Sequence, residues 1–208
     1  MRRNMSKYIT KSLGKVTSIM TKGIAPKYVE KPTSDTIVVL NQKCNKNNKI
    51  SLMQARLNDC KKKIIPVEKI LQNYDVLINS TGIGTAGRVA QLFTIKEPMT
   101  IDGHMILLRP TDELDPIYYG YAIKLHQKEI EMLAEGSTGQ TEINRQRLSD
   151  EIMISFPENI LEQRKISCLL YQIDKKIAIN QTINDNLPPY HERKDSKKVN
   201  CDGNNEIP

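Results

Sequence analysis

The stretch Asn79-Ser80-Thr81-Gly82-Ile83-Gly84-Thr85-Ala86-Gly87-Arg88 gathers hydrogen-bond donors into a short space. Its three glycines permit left-handed backbone and close approach, its three hydroxyls add O–H donors, and Arg88 brings a fixed positive charge. Such a loop suits an anion, either the phosphates of a nucleotide or the backbone of a nucleic acid. A second stretch of similar chemistry, Gly136-Ser137-Thr138-Gly139-Gln140-Thr141, runs into Asn144-Arg145-Gln146-Arg147-Leu148. Arg, Asn and Gln are the side chains that can pair with base edges through two hydrogen bonds at once. The plainer reading is a surface turn followed by a capped helix.

The nucleotide alternative has a specific form. Gly82, Gly84 and Gly87 spell G-x-G-x-x-G after an apolar run, and Asp102 lies 20 residues beyond Gly82. That is the spacing of a dinucleotide-binding fingerprint, with pyrophosphate on a helix N-terminus and the acid on a ribose. The residues from Arg88 to Ile95 fit it poorly, because they favour strand over helix and Pro98 cuts them short. The further strand–helix repeats of such a domain are also missing. Other chemistry is thinly represented. Cys44, Cys60, Cys168 and Cys201 form no C-x-x-C pair and His104, His126 and His191 are scattered. No metal site is expected, and the thiols read as reduced groups of a cytoplasmic protein. No nucleophile–base constellation stands out.

Charge separates the two anion readings. Residues 1–70 hold 16 Lys/Arg and 4 Asp/Glu, residues 71–157 hold 7 and 12, and residues 158–208 hold 8 and 8. The whole excess of positive charge therefore lies in the first third, as expected of a phosphate-binding face. A solubilising lysine-rich surface would look the same from charge alone. No apolar run is long enough for a membrane span, and the basic start leads into no apolar signal region.

These groups need elements to hold them. Tyr74–Ile78 reads as a strand running into the glycine loop, and Thr36–Leu40, Met99–Ile101, His104–Arg109 and Ile152–Phe156 as further strands. Lys62–Val67 is another strand candidate, with a brief helical turn from Val67 to Leu71. The segment between Ile9 and Ile19 suggests a strand or a short turn of helix, and residues 41–49 a polar Lys/Asn loop. Irregular and lysine-rich, residues 41–63 are a further candidate source of base-reading side chains. Asp115-Pro116 opens a helix expected to reach about Ala134.

The last element is the most regular. Asn159 and Glu162 form a capping-box-like pair, and no Gly or Pro interrupts the chain until Pro188-Pro189. Ile166, Leu170, Ile173, Ile177, Asn180, Asn184 and Leu187 alternate spacings of four and three, a heptad stripe whose asparagines are of the kind that fix register. A helix of roughly 42 Å wants a partner helix. Residues 188–208 are polar and expected to be disordered. Asn186-Leu187-Pro188-Pro189-Tyr190 is similar to the D/N-P-P-Y motif of amino-methyltransferases. Leucine stands immediately before the prolines, where the polar side chain belongs, so this is a helix stop.

Together, Asp75 through Arg88, Asp102-Gly103-His104, Leu107 through Pro110, Gly136 through Arg145, and Glu162 through Ile166 leading into the heptads occur in one order. In that order the chain resembles the specificity (S) subunits of type I restriction–modification systems, over residues 13 to 187. The resemblance implies an α/β (α+β) target-recognition domain, residues 1–157, followed by a long coiled-coil spacer helix, residues 158–187, and the tail. It implies sequence-specific binding of double-stranded DNA, one half of a bipartite site, without catalysis. The implied partners are methyltransferase (modification) subunits and, indirectly, a restriction subunit. S-adenosylmethionine, ATP and Mg are expected on those partners and none on this chain. Full-length S subunits look like two such domains and two such helices. One of each here implies a homodimer, or pairing with another half subunit. The expected DNA contacts are Lys22, Lys27, Ser80, Thr81, Thr85, Arg88, Ser137, Thr138, Gln140, Asn144, Arg145 and Arg147, with the heptad residues pairing helices.

Overall fold

A computed structural model describes residues 7–135 and 141–187. They form two units, one up to Cys168 and one from Leu169 onward. In the first unit two four-stranded sheets carry the architecture. The chain opens with β1 (Tyr8–Ser12), a 3-10 turn at Leu13–Val16 and β2 (Thr17–Lys22), then β3 (Tyr28–Val29) and β4 (Thr36–Leu40). A small hairpin of β5 (Asn45–Lys46) and β6 (Lys49–Ile50) lies between 3-10 turns at Gln42–Cys44 and Leu52–Gln54. Next come β7 (Arg56–Asp59), β8 (Val76–Asn79), β9 (Val89–Gln91), β10 (Met99–Ile101) and β11 (Met105–Pro110). Helices α1 (Pro116–Leu125) and α2 (Gln127–Met132) follow, then β12 (Ala134–Glu135), β13 (Glu142–Ile143), α3 (Arg145–Glu151), β14 (Met153–Pro157) and α4 (Ile160–Asp185).

The first sheet runs β2-β11-β8-β9, antiparallel throughout, and the second runs β10-β4-β7-β3, with β10 parallel to β4. The unbroken apolar runs of β8 and β11 have a direct cause: their sheet is buried on both faces. Val76, Ile78, Ile106 and Leu108 point into a core closed by Tyr119 and Ile123 of α1. Leu77, Met105 and Leu107 point the other way, into a core shared with Leu40, Met99 and Ile101 of the second sheet. Each such side chain contributes about 1.5–3 kcal/mol through burial. β1 pairs with β14, so the first and last strands of this unit close on each other before α4 begins.

Several expectations need correction. Lys62–Val67 is not a strand. The Asp59 carboxylate accepts the backbone N–H of Lys61 at 2.9 Å, and the Asp59 carbonyl that of Lys63 at 2.9 Å, which turns the chain. The strand of this region is Arg56–Asp59, disguised because its inward residue is a polar one, the fully buried Asn58. Asn58 accepts from Lys27 N at 2.8 Å and donates to Lys63 O at 2.9 Å. The helix from Pro116 does not run unbroken to Ala134 but breaks at His126. There the Gln127 carboxamide oxygen is drawn to the first sheet, accepting from Val89 N at 3.1 Å and from Asn48 Nδ2 at 2.6 Å.

The start of α4 is bolted down by polar groups. Asn159 Oδ1 accepts Leu161 N at 2.8 Å. Buried Gln163 accepts Asp115 N at 2.8 Å and donates to Pro157 O at 2.8 Å and Glu113 O at 3.1 Å. Ser167 donates to Asp115 Oδ1 at 3.0 Å, the same oxygen that caps α1 at Tyr118 N. In the second unit α4 continues to Asp185, and Leu187, expected as its last heptad residue, lies in the turn beyond. Ile166 is half-buried, whereas Leu170, Ile173 and Ile177 are 37%, 46% and 47% exposed, so this chain alone leaves much of the apolar stripe uncovered. Asn180 and Asn184 are exposed too. The tail from Pro188 lies outside the described residues.

Candidate nucleic-acid interface

The glycine loop joins β8 to β9, its antiparallel neighbour, with no helix after it. Gly82, Gly84 and Gly87 adopt φ of +115°, +66° and +87°, conformations that favour glycine. Several of its N–H groups are bonded within the protein. Thr85 and Ala86 donate to Gly82 O, Gly87 to Asn79 O, and Gly82 to Thr141 O. This overturns the dinucleotide alternative, which needs those donors at a helix N-terminus facing a pyrophosphate. Asp102, its supposed ribose acid, is buried and instead holds the β10–β11 turn by accepting His104 N at 3.0 Å. Burial pushes its carboxyl above the ordinary aspartate value, opposed by His104 and by the Tyr28 hydroxyl.

The other residues expected to contact DNA divide sharply. Ser80 is fully buried, and its hydroxyl has no partner among the described residues. Thr81 pairs with His104 Nδ1 at 2.9 Å and donates to Gln42 Oε1 at 3.2 Å. Thr85 Oγ1 donates to Thr81 O at 3.5 Å, and Arg88 Nη2 to Gly84 O at 3.0 Å, so both brace the loop they sit in. Asn144 caps α3, accepting Gln146 N at 2.8 Å, which matches the plainer reading of that stretch. Arg147 is held by Glu151 through contacts of 2.6 and 3.0 Å. Lys22 forms an ion pair with Glu142. Lys27 and Arg145 are exposed. Lys22, Asn144 and Arg145 meet around one concavity with Met20 and Ser149. Ser137, Thr138 and Gln140 lie outside the described residues.

A larger cleft, about 730 Å³, opens where the two 3-10 turns face the β10–β11 turn. Gln42, Lys43, Gln54, Arg56, Tyr28 and His104 line it. Asn41 joins the two 3-10 turns, accepting Lys43 N at 2.9 Å and donating to Gln54 O at 2.6 Å. The intervening hairpin turns through Asn47 and Asn48, both at positive φ. It is pinned to the exit of the glycine loop, because Asn45 donates to Arg88 O at 2.8 Å and Asn48 to Val89 O at 2.9 Å. The Arg56 guanidinium carbon sits over the Tyr28 ring, 3.5 Å from its centre. Only the Lys/Asn richness of residues 41–63 pointed toward this cleft, since Tyr28, Arg56 and His104 are brought together by strand pairing. Among the described residues no cluster of His, Cys, Asp and Glu could hold a metal ion, and no helix is long and apolar enough to cross a membrane.

A family model described as "Type I restriction modification DNA specificity domain" matches residues 5–188. The chain belongs to this family. Solved structures agree at the level of fold. The S subunit of a type I restriction–modification system from M. genitalium superposes with a TM-score of 0.57 at 20% identity, covering 89% of this chain and 46% of that one. The HsdS subunit from Thermoanaerobacter tengcongensis gives 0.56 at 20% identity, covering 83% and 38%. A chain from work on complex assembly and conformational transition of the type I R-M system gives 0.57 at 20% identity, covering 85% and 40%. This specificity domain thus spans less than half the length of the solved chains it matches. A search of curated proteins finds no match. Membership assigns the domain to DNA specificity, a recognition role rather than a catalytic one.

Proposed function

We propose that this chain reads one half of a split double-stranded DNA site for a type I restriction–modification complex and docks its methyltransferase subunits. The observation that carries this reading is the match of the DNA specificity family across nearly the whole chain. Residues 1–157 serve as the target-recognition domain and residues 158–187 as the spacer. Lys27, exposed before β3, and Arg145, exposed at the first position of α3, contact phosphates, while Thr81, Thr85 and Arg88 brace the glycine loop. Affinity then falls steeply with salt, as counterion release requires. The chain holds no cofactor of its own; S-adenosylmethionine, ATP and Mg belong to the modification and restriction subunits.

The half-exposed stripe of Leu170, Ile173 and Ile177 supports pairing of α4 with a second helix, from another copy or another half subunit, as a coiled coil. Two experiments test the proposal. Methylome sequencing of cells carrying this chain with its cognate modification subunit should reveal one interrupted motif, and absence of any new motif counts against the reading. Light scattering should show a dimer that Ile173→Asp converts to monomer, and a monomer unaffected by the substitution removes the pairing.

A further inference from the structure

Among the arginines of the described residues, most are already committed. Arg88 donates to Gly84 O, Arg109 and Arg147 grip Asp75 and Glu151, and Arg164 faces Asp115. Arg56 is different: it is exposed, it lines the large cleft, and none of the described carboxylates pairs with it. It is nevertheless not loose. As the first residue of β7 its backbone is registered against Val39 of β4, and its guanidinium rests on the Tyr28 ring. Tyr28 is held from both sides, by pairing with Asn58 and by its hydroxyl, which donates to Asp102 Oδ2 at 3.4 Å. Asp102 is fixed in turn by accepting His104 N and by donating its own N–H to Leu40 O. Seated over the ring, the guanidinium is restrained and keeps its donors available for a planar acceptor pair. The O6 and N7 atoms of guanine in the major groove form such a pair.

Beside it, the Gln42 carboxamide is oriented by Thr81, which donates to its oxygen, and its backbone carbonyl accepts from Asn79 Nδ2 at 3.1 Å. The Gln42 amide hydrogens have no acceptor among the described residues. The glycine loop therefore supports the cleft through Thr81, which holds Gln42. We propose that Arg56, stacked on Tyr28, is the principal base-reading residue of this domain and takes a guanine of the target half-site, with Gln42 reading the neighbouring pair. Arg145 contrasts with it: also exposed, it opens α3 beside the Lys22–Glu142 ion pair, and among the described residues no aromatic ring lies under it. That is the situation of a phosphate contact, which carries no sequence information.

This inference rests on the DNA-reading role proposed above, and one experiment separates the two. The full chain, with its modification subunit, selects from a random duplex library, alongside Arg56→Lys, Arg56→Ala and Tyr28→Leu, each checked for an intact thermal transition. The expected result is a guanine in the wild-type half-site whose preference drops roughly 5- to 150-fold in all three variants, other positions being unchanged. Arg56→Lys is decisive, because it keeps the charge and loses the fork. If the wild type selects a site and Arg56→Lys selects the same site with undiminished preference, the assignment of Arg56 is overturned while the DNA-reading role stands. If the wild type selects no sequence at all, the DNA-reading role itself falls.

Discussion

Arg109 grips Asp75 through two parallel contacts of 2.8 Å, Nε to Oδ1 and Nη2 to Oδ2. Asp75 is 1% exposed and Arg109 18%, so the carboxylate is buried while its arginine partner reaches the edge of a surface concavity. It ties the end of β11 to the residue that leads into β8, and the same carboxylate accepts Gln72 N at 2.7 Å. Arg109→Ala strands this carboxylate in the interior and should cost about 3–5 kcal/mol. Urea titration of the variant against wild type measures it, and a loss below 1 kcal/mol would show the pair to be dispensable.

Two glycines of one loop should behave unlike each other. A Cβ at Gly87 meets Glu131 Cα at 2.6 Å, whereas one at Gly84 meets nothing within 4 Å. Gly84→Ala therefore carries only the left-handed backbone penalty, about 1–2 kcal/mol. Gly87→Ala adds a backbone collision with α2 and should lower Tm well beyond that. Equal shifts in parallel thermal melts would contradict the packing described.

The polar anchor of α4 predicts a loss from a substitution that preserves size. Gln163→Leu leaves Asp115 N and the carbonyls of Pro157 and Glu113 without their partner. Each stranded buried group costs about 1–3 kcal/mol, more than the added apolar surface returns. Denaturant unfolding, with Lys165→Gln on the exposed side of α4 as the comparison, reads this directly.

Asp102 gives a pH dependence of defined sign. Its folded carboxyl titrates above the ordinary aspartate value, chiefly through burial. The folded state therefore binds the proton more tightly than the unfolded chain. This group's contribution is most favourable below the unfolded value and is lost as pH rises through the folded one. Asp102→Asn keeps an oxygen for His104 N and removes the buried charge. Its stability relative to wild type should rise as pH increases from about 4 to 7, the window above the ordinary aspartate pKa. A difference that is flat with pH, or of opposite slope, would count against burial as the controlling term.

The regular parts of the fold could be read from local chemistry. Thr36–Leu40 and the runs ending at Asn79 and Pro110 are apolar because both of their faces are covered, and such runs announce themselves as strands. Asp115-Pro116 marked the start of α1 for a similarly local reason, since the Asp115 side chain caps Tyr118 N. What stayed hidden depends on partners distant in the chain. The glycine loop looked like a cradle for anions because its donors are visible in sequence. The acceptors that consume them, Asn79 O and Thr141 O, become neighbours only on folding. Asn144 illustrates a residue type with two uses, base pairing and helix capping, and in the folded chain its oxygen caps α3. The stack of Arg56 on Tyr28 follows from the register of β3 and β7, which no short motif encodes.

The asparagine fastenings of the hairpin have an evolutionary corollary. Asn41, Asn45 and Asn48 secure the segment through backbone carbonyls of Gln54, Arg88 and Val89, atoms every residue type possesses. The acceptor end of each fastening does not depend on which side chains face the cleft, although Asn41, a donor, lines it. On the proposed reading of the cleft, a lineage can exchange its other outward residues like type in a printer's frame, acquiring a new address on DNA while the frame that locks the letters stays put.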